Sequence, residues 1–102
     1  MNKITFKLLF IEMECIHDVI KYSVMDKITT KDNNTRLQLA TLLGVYKRLC
    51  NALSNKKTKY TFSFSMTEYL AFFNYFNALD FIDVLEQVTV RKICDTIHQR
   101  LV

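Results

Sequence analysis

The sequence predicts a mainly α-helical chain, folded as a single domain over residues 1–102 and arranged like a four-helix bundle. Three observations predict this class. A chain of 102 residues that is 50% apolar can bury a core without a metal or a disulfide. One glycine and no proline are too few for the many turns of sandwiches, barrels and doubly wound sheets. Apolar residues also recur at three- and four-residue steps in four segments.

The first predicted helix covers residues 3–28. A short alternation at residues 4–7 also fits a strand, but the continuously apolar run at residues 8–11 breaks it and favours the helix. Every residue from Thr29 to Asn34 is polar, which predicts a loop. The predicted apolar stripe consists of Phe6, Leu9, Phe10, Met13, Ile16, Ile20, Val24 and Ile28.

The second predicted helix covers residues 36–54 and contains the single glycine, Gly44. A glycine inside a helix costs up to about 1 kcal/mol relative to alanine, so close packing or a turn is expected there. The apolar arc of this helix consists of Leu39, Leu42, Leu43, Tyr46, Leu49, Cys50 and Leu53.

A short strand is predicted at Tyr60–Ser65, where aromatic and hydroxyl side chains alternate. Tyr60, Phe62 and Phe64 then share one face of the strand. A solitary strand leaves its backbone unpaired, so its partner is either the N-terminal segment or the same strand of a second copy across a dimer axis.

Two further helices are predicted after this strand. Ser65 and Glu68 have the spacing of a capping box, which starts the third helix. Its apolar face consists of Tyr69, Phe72, Phe73, Phe76 and Leu79, and a bend or stop is expected between Leu79 and Asp83. The fourth helix covers Val84–Val102, with Leu85, Val88, Ile93, Ile97 and Leu101 expected to face the core.

Charge is distributed unevenly along the chain, whose formal net charge is +4. Residues 31–60 hold seven of the fourteen lysines and arginines and one acid, whereas residues 61–90 hold four acids and no lysine or arginine. The surfaces formed by these two segments either neutralise each other within the fold or a dimer, or the basic one binds a polyanion.

Two pairs of residues have the spacing of di-iron ligands on a bundle helix: Glu14 with His17, and Asp95 with His98. Such a site also needs a carboxylate from each of the other helices, and residues 33–67 contain neither Asp nor Glu. We therefore expect no metal and no cofactor, and we predict no catalytic residues.

The three cysteines, Cys15, Cys50 and Cys94, are widely spaced and odd in number, which argues against a disulfide framework. Cys94 and His98 lie four residues apart and could bind zinc or form a thiolate pair. Zinc sites usually contain closely spaced cysteine pairs, which the sequence does not have. Buried apolar roles in a reducing compartment are expected. With no signal-peptide pattern and no long apolar span, the sequence predicts a cytoplasmic chain that makes no contact with a membrane.

Nine of the thirteen aromatic residues lie between Tyr60 and Phe81, a density that a dimer interface would help to cover. The leading functional hypothesis is therefore a non-catalytic protein that acts through contacts with a protein partner and forms a homodimer. A ligand pocket lined by these aromatic rings is the less common use of such spacing.

The alternative hypothesis is a DNA-binding regulator. Residues 37–54 resemble the helix-turn-helix motif of bacterial transcription regulators, with Ala40 and Gly44 at the small-residue and turn positions. Leu42 and Leu49 instead suit an uninterrupted amphipathic helix. The resemblance implies nucleic-acid contacts by Lys47, Arg48 and Asn51 on the recognition helix and by Lys56, Lys57 and Lys59 on phosphates.

RNA is a third hypothesis, because residues 56–64 interleave lysines with aromatic rings, as stacking platforms do. The same rings would point into the core if they share the buried face of the strand.

Overall fold

The computed structural model describes residues 3–27, 33–77, 79 and 83–101. It confirms a mainly helical fold and adds a two-stranded antiparallel sheet. In chain order the elements are β1 (Lys3–Leu9), α1 (Phe10–Lys27), α2 (Asn33–Leu53), β2 (Lys59–Ser65), α3 (Met66–Phe76) and α4 (Val84–Leu101).

The N-terminal segment corrects the prediction of a helix over residues 3–28. Residues 3–9 form β1, in which Ile4, Phe6 and Leu8 are buried and the residues between them are exposed. β1 pairs with β2 so that Phe6 lies opposite Phe62. Of the two partners left open for the strand at Tyr60–Ser65, the structure shows the N-terminal segment. This pairing stabilises residues 3–9 as a strand.

Helix α1 begins at Phe10, one residue after β1 ends. Its start is held by Glu12, whose Oε1 accepts a hydrogen bond from the Leu9 amide at 2.8 Å. The other carboxylate oxygen accepts one from Lys92 Nζ of α4, also at 2.8 Å. Burial raises the pKa of Glu12, but these two donors outweigh burial and lower the pKa below its usual value.

Helix α2 runs without interruption from Asn33 to Leu53 and therefore passes through Gly44. No described glycine has a positive φ angle, and a Cβ added at Gly44 would meet nothing within 4 Å. Neither a turn nor a close approach, the two reasons expected from the sequence, accounts for this glycine. Of the predicted loop at residues 29–34, positions 29–32 lie outside the described residues, and α2 already includes Asn33 and Asn34.

The capping box that was predicted at the start of α3 is confirmed. Ser65 Oγ accepts a hydrogen bond from the Glu68 amide, and Glu68 Oε1 accepts one from the Ser65 amide at 2.8 Å. The helix ends at Phe76, earlier than the bend expected at 79–83. Positions 78 and 80–82 lie outside the described residues.

Helix α4 has the predicted bounds up to Leu101, but its buried face is displaced from the predicted one. Ile93 and Ile97 are buried as expected. Leu85, Val88 and Leu101 are exposed, which makes their assignment to the core wrong. Thr89, Val90 and Cys94 take their place in the face that packs against α1 and α3.

The core lies between the inner face of the sheet and the helices, and all six elements contribute to it. Its centre is aromatic: the rings of Phe64 and Phe72 are 5.6 Å apart, and those of Phe72 and Phe76 are 4.7 Å apart. Among the described helices, none combines the length and the apolar character needed to span a bilayer.

Candidate interaction surfaces

The outer face of the sheet, called here the ribbon face, is polar and basic. Because strand side chains alternate, the inward aromatic and aliphatic residues leave every second residue pointing to solvent. The residues of the ribbon face are Lys3, Thr5, Lys7 and Leu9 from β1 and Lys59, Thr61, Ser63 and Ser65 from β2. All of them are exposed except the half-buried Ser63.

Strand pairing fixes how the ribbon face is arranged. Thr5 lies opposite Ser63, and their hydroxyl oxygens are 2.8 Å apart. Lys7 lies opposite Thr61, and Lys59 lies opposite Leu9 at one end of the ribbon. Hydroxyl groups therefore occupy the middle of the face, with lysines toward both ends.

Neither strand contains an acidic residue, and no described carboxylate forms an ion pair with the lysines of the ribbon face. The carboxylates nearest in the chain have other partners, since Glu12 pairs with Lys92 and Glu68 with Arg48. The positive charge of this face is consequently uncompensated by side chains in the described part of the protein.

The loop before β2 carries two more lysines to the same end of the ribbon. The Tyr60 hydroxyl fixes the loop: it donates a hydrogen bond to the Asn55 carbonyl and accepts one from the Lys57 amide, each at 2.9 Å. Lys56 Nζ lies 5.3 Å from the centroid of the Phe10 ring. Lys56 and Lys57 thus extend the positive charge beyond Lys59.

A second distinctive surface is the apolar row on α4, formed by Val84, Leu85 and Val88. These side chains are 77%, 40% and 59% exposed, respectively. At 100° per residue the three fall within one arc of about 100°, on the side of the helix opposite Val90, Ile93 and Ile97. Three neighbouring aliphatic side chains in water form a patch of the kind found at protein interfaces.

The helix-turn-helix arrangement that the resemblance implied for residues 37–54 is not formed, since α2 continues through Gly44. Lys47 and Asn51 are exposed on this continuous helix. DNA binding by these residues stays a prediction, without the turn on which the resemblance depended.

Arg48 has a structural environment that the sequence did not indicate. Its Nη1 donates to both carboxylate oxygens of Glu68 at 2.6 Å, and its Nη2 donates to the Ser63 carbonyl. The guanidinium carbon lies 4.6 Å from the centroid of the Phe62 ring. Arg48 therefore connects α2 to β2 and to the first turn of α3, and three of its five N–H donors bond within the chain.

The RNA stacking platform predicted from Tyr60, Phe62 and Phe64 is wrong in its geometry. The three side chains are 6%, 6% and 0% exposed, because they form the buried face of β2. A base cannot stack on rings that the core already covers. Lys56, Lys57 and Lys59 of the same segment remain exposed.

The residues with di-iron spacing have other neighbours. His17 Nδ1 lies 2.9 Å from Asp18 Oδ1, and its ring stacks on Tyr46 with centroids 4.8 Å apart. His98 stacks on Phe73. Among the described residues, no three His, Cys, Asp or Glu side chains come together as metal ligands.

The three cysteines are free thiols. Burial raises the pKa of Cys94 to about 11, and burial also raises that of Cys15. A thiol with such a pKa is almost wholly protonated at neutral pH and is a poor nucleophile. Cys15 and Cys94 are buried, as the sequence predicted, while Cys50 is half-buried.

Sequence reasoning missed Lys3 and Lys7 as members of a surface, because it placed both on a helix. The signal was the alternation of charged or polar with apolar residues at positions 3–8. It also missed the apolar row, because it assigned Leu85 and Val88 to the core.

Comparison with known proteins adds no function to these two surfaces, since no protein-family model, curated protein sequence or solved structure matches the chain.

Proposed function

We propose that this protein acts without catalysis, through contacts with other protein molecules, and that it forms a homodimer through the apolar row of α4. The observation that carries the proposal is the exposure of Val84, Leu85 and Val88 on one side of a helix whose other side is fully packed. Removing such aliphatic surface from water is favourable by roughly 25 cal/mol per Å².

The charges along α4 favour a second copy of the same helix as the partner. Asp83 precedes the row, whereas Arg91 and Lys92 follow it. In a two-fold symmetric dimer with antiparallel helices centred near Val88, the acidic start of one α4 faces the basic middle of the other. Val88 then contacts its own copy, Val84 and Leu85 pack on the aliphatic stems of Lys92 and Arg91 of the other copy, and Asp83 lies close to that Arg91.

The magnitude expected for this contact follows from the two-fold symmetry, because each substitution occurs twice in the dimer. Full burial of a valine side chain contributes about 1.5–3 kcal/mol, and Val88 is 59% exposed before the dimer forms. Val88→Asp therefore removes roughly 1.8–3.5 kcal/mol over the two copies and adds two facing carboxylates at the axis. The dimer should dissociate at least about 20-fold more readily, since each 1.4 kcal/mol changes an equilibrium constant tenfold.

The test is sedimentation equilibrium of the wild-type chain, Val88→Asp and the matched control Leu37→Asp over a range of concentrations. Leu37 is a 69% exposed aliphatic residue on α2, so it receives the same change away from α4. We expect the wild-type chain and Leu37→Asp to dimerise and Val88→Asp to remain monomeric, with circular dichroism unchanged in all three. A wild-type monomer at high concentration, or equal dimerisation of Val88→Asp, contradicts the proposal.

A further inference from the structure

We propose that the ribbon face binds double-stranded DNA, with the two strands lying in the major groove. This site differs from the one implied by the helix-turn-helix resemblance, since its central residues are Lys3, Lys7 and Lys59 rather than residues of α2. It is also independent of dimerisation through α4, because it uses different elements.

The chemistry of the face suits a polyanion that offers phosphates and hydrogen-bonding edges together. Lysine ammonium groups and the hydroxyls of serine and threonine are among the side chains that contact phosphate oxygens, and serine and threonine also bond base edges. The ribbon face consists of these types apart from Leu9, and in the described residues no carboxylate pairs with its lysines.

The dimensions of the face also suit the groove. Lys3 and Lys7 stand four residues apart on β1 and are therefore separated by about 14 Å at a rise of about 3.4 Å per residue. Lys59 is diagonal to Lys7 across the ribbon, about 7–8 Å away. The major groove is about 12 Å wide and admits a two-stranded ribbon, so lysines at the two ends reach the phosphates that line it.

The Thr5 and Ser63 hydroxyls lie between these lysines, where a ribbon in the groove approaches the base edges. Lys56 and Lys57 continue the positive charge along the DNA backbone from the end at Lys59. The helices cover the inner face of the sheet, so the outer face can approach DNA without any change in the fold.

Two other polyanions fit less well. The major groove of an RNA duplex is deep and narrow, and side chains cannot read it. Membrane-surface binding needs a broad apolar face beside the basic one, and Leu9 is the one large apolar side chain on the ribbon face. A DNA duplex is therefore the polyanion that the shape and composition favour.

The test is fluorescence anisotropy with a labelled, mixed-sequence DNA duplex over a series of salt concentrations. The three lysines of the ribbon face alone predict a slope of about −2.7 for log K against log salt, so a fourfold rise in salt weakens binding at least about 40-fold. The variant Lys7→Ala/Lys59→Ala should make the slope less steep by about 1.8. The matched control Lys21→Ala/Arg36→Ala removes the same charge from exposed positions on α1 and α2 and should leave the slope unchanged.

Three results would overturn the proposal. One is wild-type binding that does not depend on salt or is absent at low salt. Another is an equal loss of slope in the control variant, which would mean that net charge alone governs binding. The third is equal affinity for an RNA duplex of the same sequence, or binding to anionic vesicles but not to DNA. Circular dichroism of both variants should match that of the wild type, since all four substituted residues are exposed.

Discussion

Replacing Gly44 by alanine should stabilise the protein, and the size of the effect follows from the structure. Gly44 is exposed in the interior of α2, its φ angle is not positive, and a Cβ at this position would meet nothing within 4 Å. The substitution therefore adds no clash and reduces the conformational freedom of the unfolded chain. Glycine is about 0.8–1.0 kcal/mol less favourable than alanine in a helix interior, so the free energy of unfolding should rise by roughly that amount.

Thermal unfolding followed by circular dichroism measures this change. For a chain of about 100 residues, 1 kcal/mol corresponds to a Tm increase of about 4–8 °C. The matched control is Ala40→Gly, one helical turn earlier at another exposed position, which should lower the Tm by a similar amount. If Gly44 formed the turn of a helix-turn-helix, alanine would have to adopt a left-handed conformation and would destabilise the chain by roughly 1–2 kcal/mol. A fall in Tm for Gly44→Ala would refute the continuous helix.

The remaining predictions concern the carboxylates of Glu68, Glu86 and Glu12 and the thiols. Glu68→Ala removes the ion-pair partner of Arg48 and half of the capping box, so the free energy of unfolding measured in urea should fall by about 1–2 kcal/mol. The control Asp95→Ala, at an exposed position, should change the free energy of unfolding little. Burial and the Asp83 and Asp18 carboxylates raise the pKa of Glu86, so ionisation of this group destabilises the fold as pH rises. Glu86→Gln removes the ionisable group and should raise the Tm at pH 7 but not below pH 4.5. The pKa of Glu12 is lowered on balance, despite the opposing effect of burial, so Glu12→Gln should lower the Tm at pH 7, with a difference that shrinks below pH 4.5. Alkylation of the native chain should modify Cys50 first and Cys94, whose pKa is about 11, only on unfolding; equal rates for the two would contradict the buried assignment.

Features that depend on neighbouring residues in the chain could be predicted from the sequence. The capping box of Ser65 and Glu68 needs only two residues three positions apart and the helix that follows them. The alternation of Tyr60–Ser65 is likewise visible within six residues, and its aromatic face is the buried one. In both places the local preference and the tertiary environment favour the same structure, so the sequence pattern alone is sufficient to predict it.

The N-terminal strand could not be assigned, because two periodicities meet inside one apolar run. β1 ends at Leu9 and α1 begins at Phe10, so residues 8–11 combine the end of a strand with the start of a helix. Ile4, Phe6 and Leu8 alternate correctly, yet a strand of seven residues is stable only with a partner, and β2 lies 50 positions or more away. That pairing is long-range information that periodicity alone does not contain.

The orientation of α4 could not be assigned for a different reason. Its first half carries apolar residues on nearly every side, including Leu85, Val88 and Val90, so two helix faces of similar hydrophobicity compete for the core. The choice depends on which face of α4 packs against α1. Thr89 is buried beside Cys15 of α1, and Val90 is buried on the same side, so Leu85 and Val88 lie on the side that faces solvent.

The basic residues show how strongly the interpretation of charge depends on the secondary structure assumed for them. Lys3 and Lys7 on a helix belong to the solvated side of an amphipathic element and have no relation to Lys59. On paired strands the same two residues share a face with Lys59, although more than fifty residues separate them in the chain. Arg48 changes in the opposite direction: its place on the recognition helix implied by the resemblance indicated a nucleic-acid contact, whereas the fold uses it to bind Glu68 and the Ser63 carbonyl. The positive surface that DNA would meet is therefore produced by the pairing of β1 with β2, and it should be lost when that pairing is broken even if every lysine is retained.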